Sequence, residues 1–273
     1  MYRNTLTTIT AIFSLTINLV FTQVVINEIH YNPGSAQGSD SDFEFLELYN
    51  PGTTDIDMSG YSFTQGINHV FADGTTLAAG GYIVLTINSD SYTGSIEWGS
   101  GALSNGGEDV TIIDAAGAVV DSVDYEDGTN AFGDWGTSHD GGGGSLELID
   151  ATSDNSLAAS WQTSWVIGGT PGAASSTEPE ATVMTIYNIQ YTTDPNGASA
   201  VADQYVQTSG VITGVDRLGT NSAFTIQDGS GAWNGIYCWW AAPDTLGLGD
   251  AVTVRGYVVE YNGYGTLGDP NAG

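Results

Sequence analysis

Cations are nearly absent from this sequence of 273 residues. Lysine does not occur, the three arginines are Arg3, Arg217 and Arg255, and 32 aspartates and glutamates bring the formal net charge to −29. Because phosphate groups and anionic lipids are bound by Lys and Arg, this balance argues against a nucleic-acid or anionic-membrane partner. It is typical of a protein in a salty or divalent-rich medium, where screening reduces self-repulsion.

Recognisable catalytic motifs are also missing. The single cysteine, Cys238, excludes an internal disulfide framework, and we interpret it as a small buried apolar residue. The sequence contains no Gly-x-Ser-x-Gly, no His-Glu-x-x-His, no cysteine pair at zinc spacing and no P-loop. Paired carboxylates are so frequent that no pair indicates an acid/base site. The sequence therefore predicts no enzyme within these residues.

The N-terminal segment 1–23 has the pattern of a signal peptide. Arg3 precedes the uncharged, apolar and Thr-rich stretch 6–22, and strand-like sequence follows at once. A small-x-small cleavage site is not evident, so an uncleaved anchor is the alternative. We expect a secreted or cell-surface protein with no stable membrane span once the signal has been removed.

Residues 24–172 alternate short β-rich stretches with turn signals such as the Asn-Pro-Gly at 32–34 and at 50–52. This punctuation predicts an antiparallel β-sandwich. Strands are expected at 24–31, 43–49, 60–64, 81–87, 109–114, 119–125 and 145–149. The small, polar and acidic segment 173–180 is predicted to be a linker to a second unit, 181–273.

A series of motifs in residues 24–172 resembles a known family. In order, the motifs are VVINEIHYNP (24–33), FEFLELYNPG (43–52), MSGY (58–61), GGYIVL (80–85), GSLE (144–147) and GGTPG (168–172). The series resembles the lamin tail domain of secreted bacterial proteins. The resemblance implies an immunoglobulin-like sandwich with a structural, adhesive or targeting role and without catalytic residues.

Residues 181–273 resemble an OB-fold of the kind found in exported bacterial proteins, often upstream of nucleases. Strands are predicted at 205–216, 223–228, 235–240 and 251–261, but an OB barrel needs five strands. The fifth should follow residues 264–267, yet the sequence stops at Gly273. We therefore expect an all-β chain with a partial five-stranded barrel, in which one strand and any further domains lie beyond residue 273.

The second unit carries a candidate ligand site. OB-folds use exposed aromatic rings to stack bases or sugars. The ligand-binding candidates are Trp233, Tyr237, Trp239, Tyr257 and Tyr261. Residues 181–273 contain eight acids and two arginines, so a neutral glycan or a protein surface is a better ligand than nucleic acid. Packing of these rings in a core is the alternative.

The acidity of the first unit raises the possibility of calcium. Residues 24–172 hold 22 acids and no Lys or Arg. If Glu28 and Glu47 are buried in their strands, they must accept backbone N–H bonds, become protonated or meet a metal. Calcium takes six to eight oxygen ligands. The candidate ligands are Asp40, Asp42, Glu44, Asp121, Asp124 and Asp127. A solvated acidic surface adapted to salt is the alternative.

Three functions are consistent with these features. The leading hypothesis is an exported, non-catalytic pair of modules for adhesion or targeting, with a protein or glycan surface as partner. The second is the N-terminal part of a secreted nuclease or phosphatase whose catalytic domain lies beyond residue 273. The third is a carbohydrate-binding module.

Overall fold

The computed structural model describes residues 24–216, 223–239, 245–261 and 264–268. The predicted signal peptide, 1–23, lies outside the described residues. The described chain is almost entirely β, and its buried apolar side chains form two separate clusters. One cluster lies within residues 24–161 and the other within residues 186–267. The all-β fold class predicted from composition and turn spacing is confirmed.

Fifteen strands form between residues 24 and 172. They are β1 (Val25–His30), β2 (Phe45–Tyr49), β3 (Ile56–Asp57), β4 (Ser62–Gln65), β5 (Ile67–Val70), β6 (Thr76–Leu77), β7 (Tyr82–Thr86), β8 (Ile96–Glu97), β9 (Ser100–Gly101), β10 (Glu108–Ile113), β11 (Val119–Tyr125), β12 (Thr129–Asn130), β13 (Gly133–Asp134), β14 (Leu146–Leu148) and β15 (Trp161–Thr163). A short helix, α1 (Asp40–Phe43), and a 3₁₀ turn (Ala158–Ser160) interrupt them.

Two sheets make the expected sandwich. One has the order β15-β14-β1-β2-β7-β8 and the other β11-β10-β4-β5-β9. Most neighbours are antiparallel, although β7 and β8 run parallel. Because side chains alternate across a strand, one face of each sheet supplies the core. Ile29, Leu46 and Leu146 are paired across β1, β2 and β14 and lie in that core.

The second cluster belongs to a closed barrel. Its elements are β16 (Thr182–Val183), α2 (Ile186–Gln190), β17 (Tyr205–Asp216), β18 (Ala223–Gln227), β19 (Gly235–Cys238), β20 (Ala251–Tyr261) and β21 (Tyr264–Gly268). The barrel order is β17-β18-β19-β21-β20, and β20 pairs back to β17. Helix α2 covers it, with Ile186 and Ile189 buried in the barrel core.

The prediction that the barrel lacks its fifth strand is wrong. Strand β21 pairs parallel with β19 through Thr266 and Leu267, and antiparallel with β20. It escaped the sequence pattern because it is five residues long and contains Gly265 and Gly268. Glycine has no side chain to pack and is depleted in strands, so the alternation that marks a strand is weak there.

Both helices of the described chain are short. Helix α1 has four residues and α2 has five. Within the described ranges, neither is long and apolar enough to cross a membrane.

Candidate functional site

An open groove of about 720 Å³ lies on the barrel wall. Strands β18, β19 and β21 form its floor, and α2 contributes Gln190 at one side. Its aromatic wall consists of Trp233, Tyr237 and Trp239, and Thr213 and Thr225 add hydroxyl groups. None of the described residues that line the groove carries a charged side chain. The groove is therefore suited to an uncharged ligand with both apolar faces and hydroxyl groups.

The rings of the groove continue onto the surface of α2. Tyr237 and Trp239 contact each other edge to face, with centroids 4.7 Å apart. Trp233 meets Tyr191 at 6.1 Å, and Tyr191 stacks on Tyr187 at 5.4 Å with an interplanar angle of 11°. Tyr187, Tyr191 and Trp233 are each more than 40% exposed. Solvent-exposed rings in a row form a platform on which flat apolar faces can stack.

Trp233 has a backbone conformation that bulky residues rarely adopt. Its φ is +68°, in the left-handed region, which costs an L-residue roughly 1–2 kcal/mol. The residue lies in the loop between β18 and β19, and its side chain is exposed at the groove rather than packed in the core. Strain at an exposed aromatic residue is a pattern that recurs at ligand sites.

The structure brings together three of the five predicted ligand-binding aromatics. Trp233, Tyr237 and Trp239 line the groove. Tyr257 is not among the lining residues, because it packs against Tyr205 on the strand pair β17–β20, with centroids 5.0 Å apart. The side chain of Tyr261 lies outside the described part of the structure.

Tyr257 packs instead beside Tyr205, a barrel residue that contacts the sandwich. Its neighbour Tyr205 also meets Trp165, which follows β15, at a centroid distance of 5.5 Å. The Tyr205 hydroxyl donates to Glu178 at 2.7 Å, and Glu178 lies 3.2 Å from the Arg255 guanidinium. The aromatic residues of the barrel thus form two groups, one that lines the groove and one that lies at or beside the contact with the sandwich.

Sequence reasoning missed the residues that α2 contributes. Thr185 caps this helix by accepting the Asn188 N–H at 3.2 Å. The helix places Gln190 at the groove and Tyr191 beside Trp233. The available signal was the spacing of Tyr187 and Tyr191, because residues four apart share one face of a helix.

The first group of calcium candidates lies on α1 and at its C-terminal end. Asp40 and Asp42 lie on α1, and neither side chain is buried. Asp40 accepts a hydrogen bond from Asn105 at 3.1 Å. Glu44 is buried, its Oε2 accepts the Leu103 N–H at 2.9 Å, and burial raises its pKa to about 7. Repulsion from Asp40 adds to that rise, so these two carboxylates interact, yet Asp40, Asp42 and Glu44 do not form a group that could hold a metal ion.

The second group is no better assembled. Asp121 accepts hydrogen bonds from the Ile26 N–H and the Asn155 amide, both at 2.7 Å, so its oxygens already have partners. Asp124 and Asp127 are not buried. The structure gives no hydrogen bond between either of them and Asp121. Over the residues described, no group of three or more His, Cys, Asp or Glu side chains could hold a metal ion. The calcium site stays a prediction from the sequence.

The buried histidines and the cysteine are structural. His30 and His139 are almost fully buried, and desolvation lowers the pKa of both, that of His30 to about 4. Cys238 is buried in the barrel core, where desolvation raises the pKa of its thiol to about 12. A thiol in this environment stays protonated and is a poor nucleophile. The interpretation of Cys238 as a buried apolar residue is confirmed.

Glu28 and Glu47 are fully buried in their strands, and Glu147 on β14 joins them. Of the three fates expected for such groups, the structure shows hydrogen bonding to backbone N–H groups. Thr170 donates to Glu28 at 2.8 Å and Gly172 to Glu47 at 2.5 Å. Glu147 lies in the GSLE motif and in the predicted strand 145–149, but nothing in the sequence indicates that it pairs with Glu28.

A comparison with protein families agrees with the architecture of the sandwich. Residues 20–127 match the family model described as Lamin Tail Domain. The match covers less than half of the chain, and it supports a lamin tail domain in this segment. That domain is an immunoglobulin-like β-sandwich of a non-catalytic, binding type. No curated protein matches this sequence.

Proposed function

We propose that this chain is an exported, non-catalytic binding protein that attaches to a surface outside the cell, and that its barrel binds a neutral carbohydrate. The observation that carries the proposal is the uncharged groove walled by Trp233, Tyr237 and Trp239. The sandwich supplies a second module of binding type. The N-terminal pattern of a signal peptide supports export.

The composition of the groove favours sugars over other ligands of OB-type barrels. Aromatic rings can stack on the apolar face of a sugar, while Gln190, Thr213 and Thr225 offer amide and hydroxyl groups to its hydroxyls. A single-stranded nucleic acid would need a positively charged groove along its backbone. Residues 181–273 have eight acids against two arginines, so a polyanion is repelled.

The rival proposal, the N-terminal part of a secreted nuclease or phosphatase, loses one of its grounds. One of its grounds is that the sequence pattern shows only four strands of the barrel, and β21 supplies the fifth. The coding sequence after codon 273 tests it directly. A domain with clustered His, Asp and Asn would favour the enzyme, whereas a sorting tail or further sandwich repeats would favour adhesion.

A glycan array probed with the full chain tests the carbohydrate proposal. The comparison uses the native protein, Trp233→Ala, and Phe132→Ala as a matched control, because Phe132 is an exposed ring of the sandwich and not part of the groove. A stacking contact is worth about 1–3 kcal/mol. The native protein and Phe132→Ala should bind the same neutral glycans, and Trp233→Ala should bind them at least about fivefold more weakly. No signal above background for the native protein would reject the proposal.

A further inference from the structure

Three glutamates occupy adjacent positions on one face of the larger sheet of the sandwich. Glu28 on β1 pairs with Glu47 on β2 at one side and with Glu147 on β14 at the other. Their strand neighbours Leu46 and Leu146 point into the core, so the glutamates point to the opposite face. All three are nevertheless fully buried. Something other than the core must therefore cover them.

The cover is the segment 169–176, which leads from the sandwich to the predicted linker. Its backbone N–H groups reach all three carboxylates: Thr170 donates to Glu28, Gly172 to Glu47, and Ser176 to Glu147 at 2.8 Å. The Ser176 hydroxyl also donates to Glu147, at 2.5 Å. The segment is thus held to the sheet by hydrogen bonds to buried acids.

The sandwich offers this cluster no cation, because residues 24–172 contain neither Lys nor Arg, and no arginine is among the groups that shift the pKa of Glu28 or Glu47. The other titratable groups around it are His30, two residues along β1, Tyr92, which interacts electrostatically with Glu28, and Tyr82, which interacts with Glu47. His30 is buried and its pKa is lowered to about 4, chiefly by desolvation, so it is neutral. Three negative charges here would have no compensating positive charge.

The hydroxyl of Thr170 shows how the cluster is arranged. Its Oγ1 lies 3.3 Å from Glu28 Oε2 and 2.9 Å from Glu147 Oε1. A threonine hydroxyl has one hydrogen to donate and two lone pairs. The hydroxyl donates that hydrogen to Glu147, the nearer acceptor, and the contact with Glu28 is the weaker branch of a bifurcated bond. Among the hydrogen bonds of the described residues, Oε2 of Glu28 accepts no other one, so this buried oxygen is the position that a proton would occupy.

We propose that segment 169–176 is a pH-gated latch, which is closed while Glu28 carries a proton and opens when that proton is lost to water. The burial of three adjacent carboxyl groups and their cover by the N–H groups of one segment carry this inference. It goes beyond the proposed carbohydrate binding and does not depend on it. The chemistry is one acid–base step, in which the O–H bond of Glu28 breaks and water takes the proton.

The electrostatics of Glu28 agree with this geometry. Burial raises its pKa to about 8, and repulsion from Glu47 and Glu147 adds to the rise, while hydrogen bonds from Ser145 and Thr170 oppose it. Burial likewise raises the pKa of Glu47 to about 7. The latch should therefore be closed in mildly acidic solution and open as the pH rises past about 8.

Opening would change the connection between the two units. The Trp165 N–H donates to the Ser176 hydroxyl at 2.8 Å, so release of the segment removes a partner from the residue that contacts Tyr205. The segment also continues directly into Glu178, which lies beside Arg255. Deprotonation of one buried acid would thereby weaken the contacts that hold the connection between sandwich and barrel in place.

Hydrogen exchange on the full chain tests the latch. The readout is the protection factor of the Thr170, Gly172 and Ser176 amides at about pH 6 and about pH 9, corrected for the intrinsic exchange rate. The variants are Glu28→Gln, whose side chain stays uncharged at any pH, and Glu97→Gln as a control at an exposed position on strand β8 of the same sheet.

In the native protein and in Glu97→Gln, the protection factors should fall at least about tenfold between the two pH values. Each pH unit above the pKa of one coupled proton lowers the protection factor by up to about tenfold. Glu28→Gln should keep its protection. Equal protection of the native protein at both pH values, or an equal loss in Glu28→Gln, would overturn the proposal. Carbon NMR of the native carboxyl groups decides the matter if Glu28→Gln does not fold. The Glu28 signal must titrate together with the loss of protection, and a midpoint below about pH 5, near the ordinary value, would overturn the latch.

Discussion

Substitution of Gly169 by alanine should be among the most destabilising single changes in the sandwich. Gly169 has a φ of +74°, and a Cβ there would collide with Glu28 Oε1, lie 2.7 Å from the Ser145 hydroxyl and lie 3.0 Å from the Phe45 ring. These three atoms belong to fully or almost fully buried side chains, so none can move into solvent. Glu28 would have to give up the hydrogen bonds from Ser145 and Thr170.

Gly172→Ala is the matched control. Gly172 also has a positive φ, of +84°, but a Cβ there would meet nothing within 4 Å. Both variants incur the backbone strain of about 1–2 kcal/mol. Gly169→Ala alone loses two hydrogen bonds to a buried carboxyl group, worth about 0.5–1.5 kcal/mol each when the acceptor is neutral, as Glu28 is expected to be at pH 6. The free energy of unfolding should therefore fall by about 2 kcal/mol more for Gly169→Ala than for Gly172→Ala.

Urea denaturation followed by tryptophan fluorescence measures both free energies, with the native chain as reference. The measurement belongs at about pH 6, where the latch is expected to be closed. Equal losses of stability in the two variants would refute the reasoning, because they would show that the glutamate cluster leaves room beneath residue 169.

Three further results are expected. Between about pH 6.5 and pH 8.5 the free energy of unfolding should fall, because Glu28 and Glu47 have raised folded-state pKa values of about 8 and about 7. The stability that these two groups contribute is fully present below their pKa in the unfolded chain, and it is lost as the pH rises through their pKa values in the folded chain. The lowered pKa values of His30 and His139 act in the opposite sense, but only below about pH 6.5. A free energy of unfolding that rose between about pH 6.5 and pH 8.5 in urea titrations would therefore contradict this prediction. Cys238 should resist a thiol reagent at pH 8 in the native chain and react after unfolding, because burial raises its pKa; labelling at equal rates in both states would show that it is accessible. The calcium hypothesis predicts a higher melting temperature in calcium than in chelator at equal ionic strength, and coinciding melts would reject it.

Much of the sandwich could be predicted because its strands carry strong local signals. The range 119–125 was predicted as a strand and is β11 as observed, since alternation and flanking turns agree there. The range 43–49 was predicted two residues too long at its start, because α1 runs to Phe43 and Glu44 forms its end. A helix of one turn has no periodicity that a sequence pattern could detect.

The candidate sites depend on contacts between residues distant in sequence, and these were only partly predictable. Trp233, Tyr237 and Trp239 share the groove because they lie close together along the chain, at and around β19. Tyr257 was grouped with them by residue type, but its strand pairs with β17 and directs it to Tyr205. Composition identifies aromatic residues, whereas strand register decides which face they occupy.

The buried carboxylates illustrate the same limit. The sequence established that no Lys or Arg lies between residues 24 and 172, so buried acids there needed another partner. It could not reveal that Glu147 completes the row or that segment 169–176 supplies the donors. Those facts follow from the pairing of β14 with β1 and from a loop more than a hundred residues away from Glu28.

The central claim is that the barrel binds an uncharged ligand through its aromatic groove. The most direct measurement is a tryptophan-fluorescence titration of the full chain with a neutral oligosaccharide selected on the array, at low and at high salt, beside a titration with single-stranded DNA. We expect saturable binding of the sugar that does not depend on salt and is weakened in Trp233→Ala, and we expect no binding of DNA. Binding of DNA that weakens steeply with salt, as counterion release requires, without binding of the sugar, would contradict it.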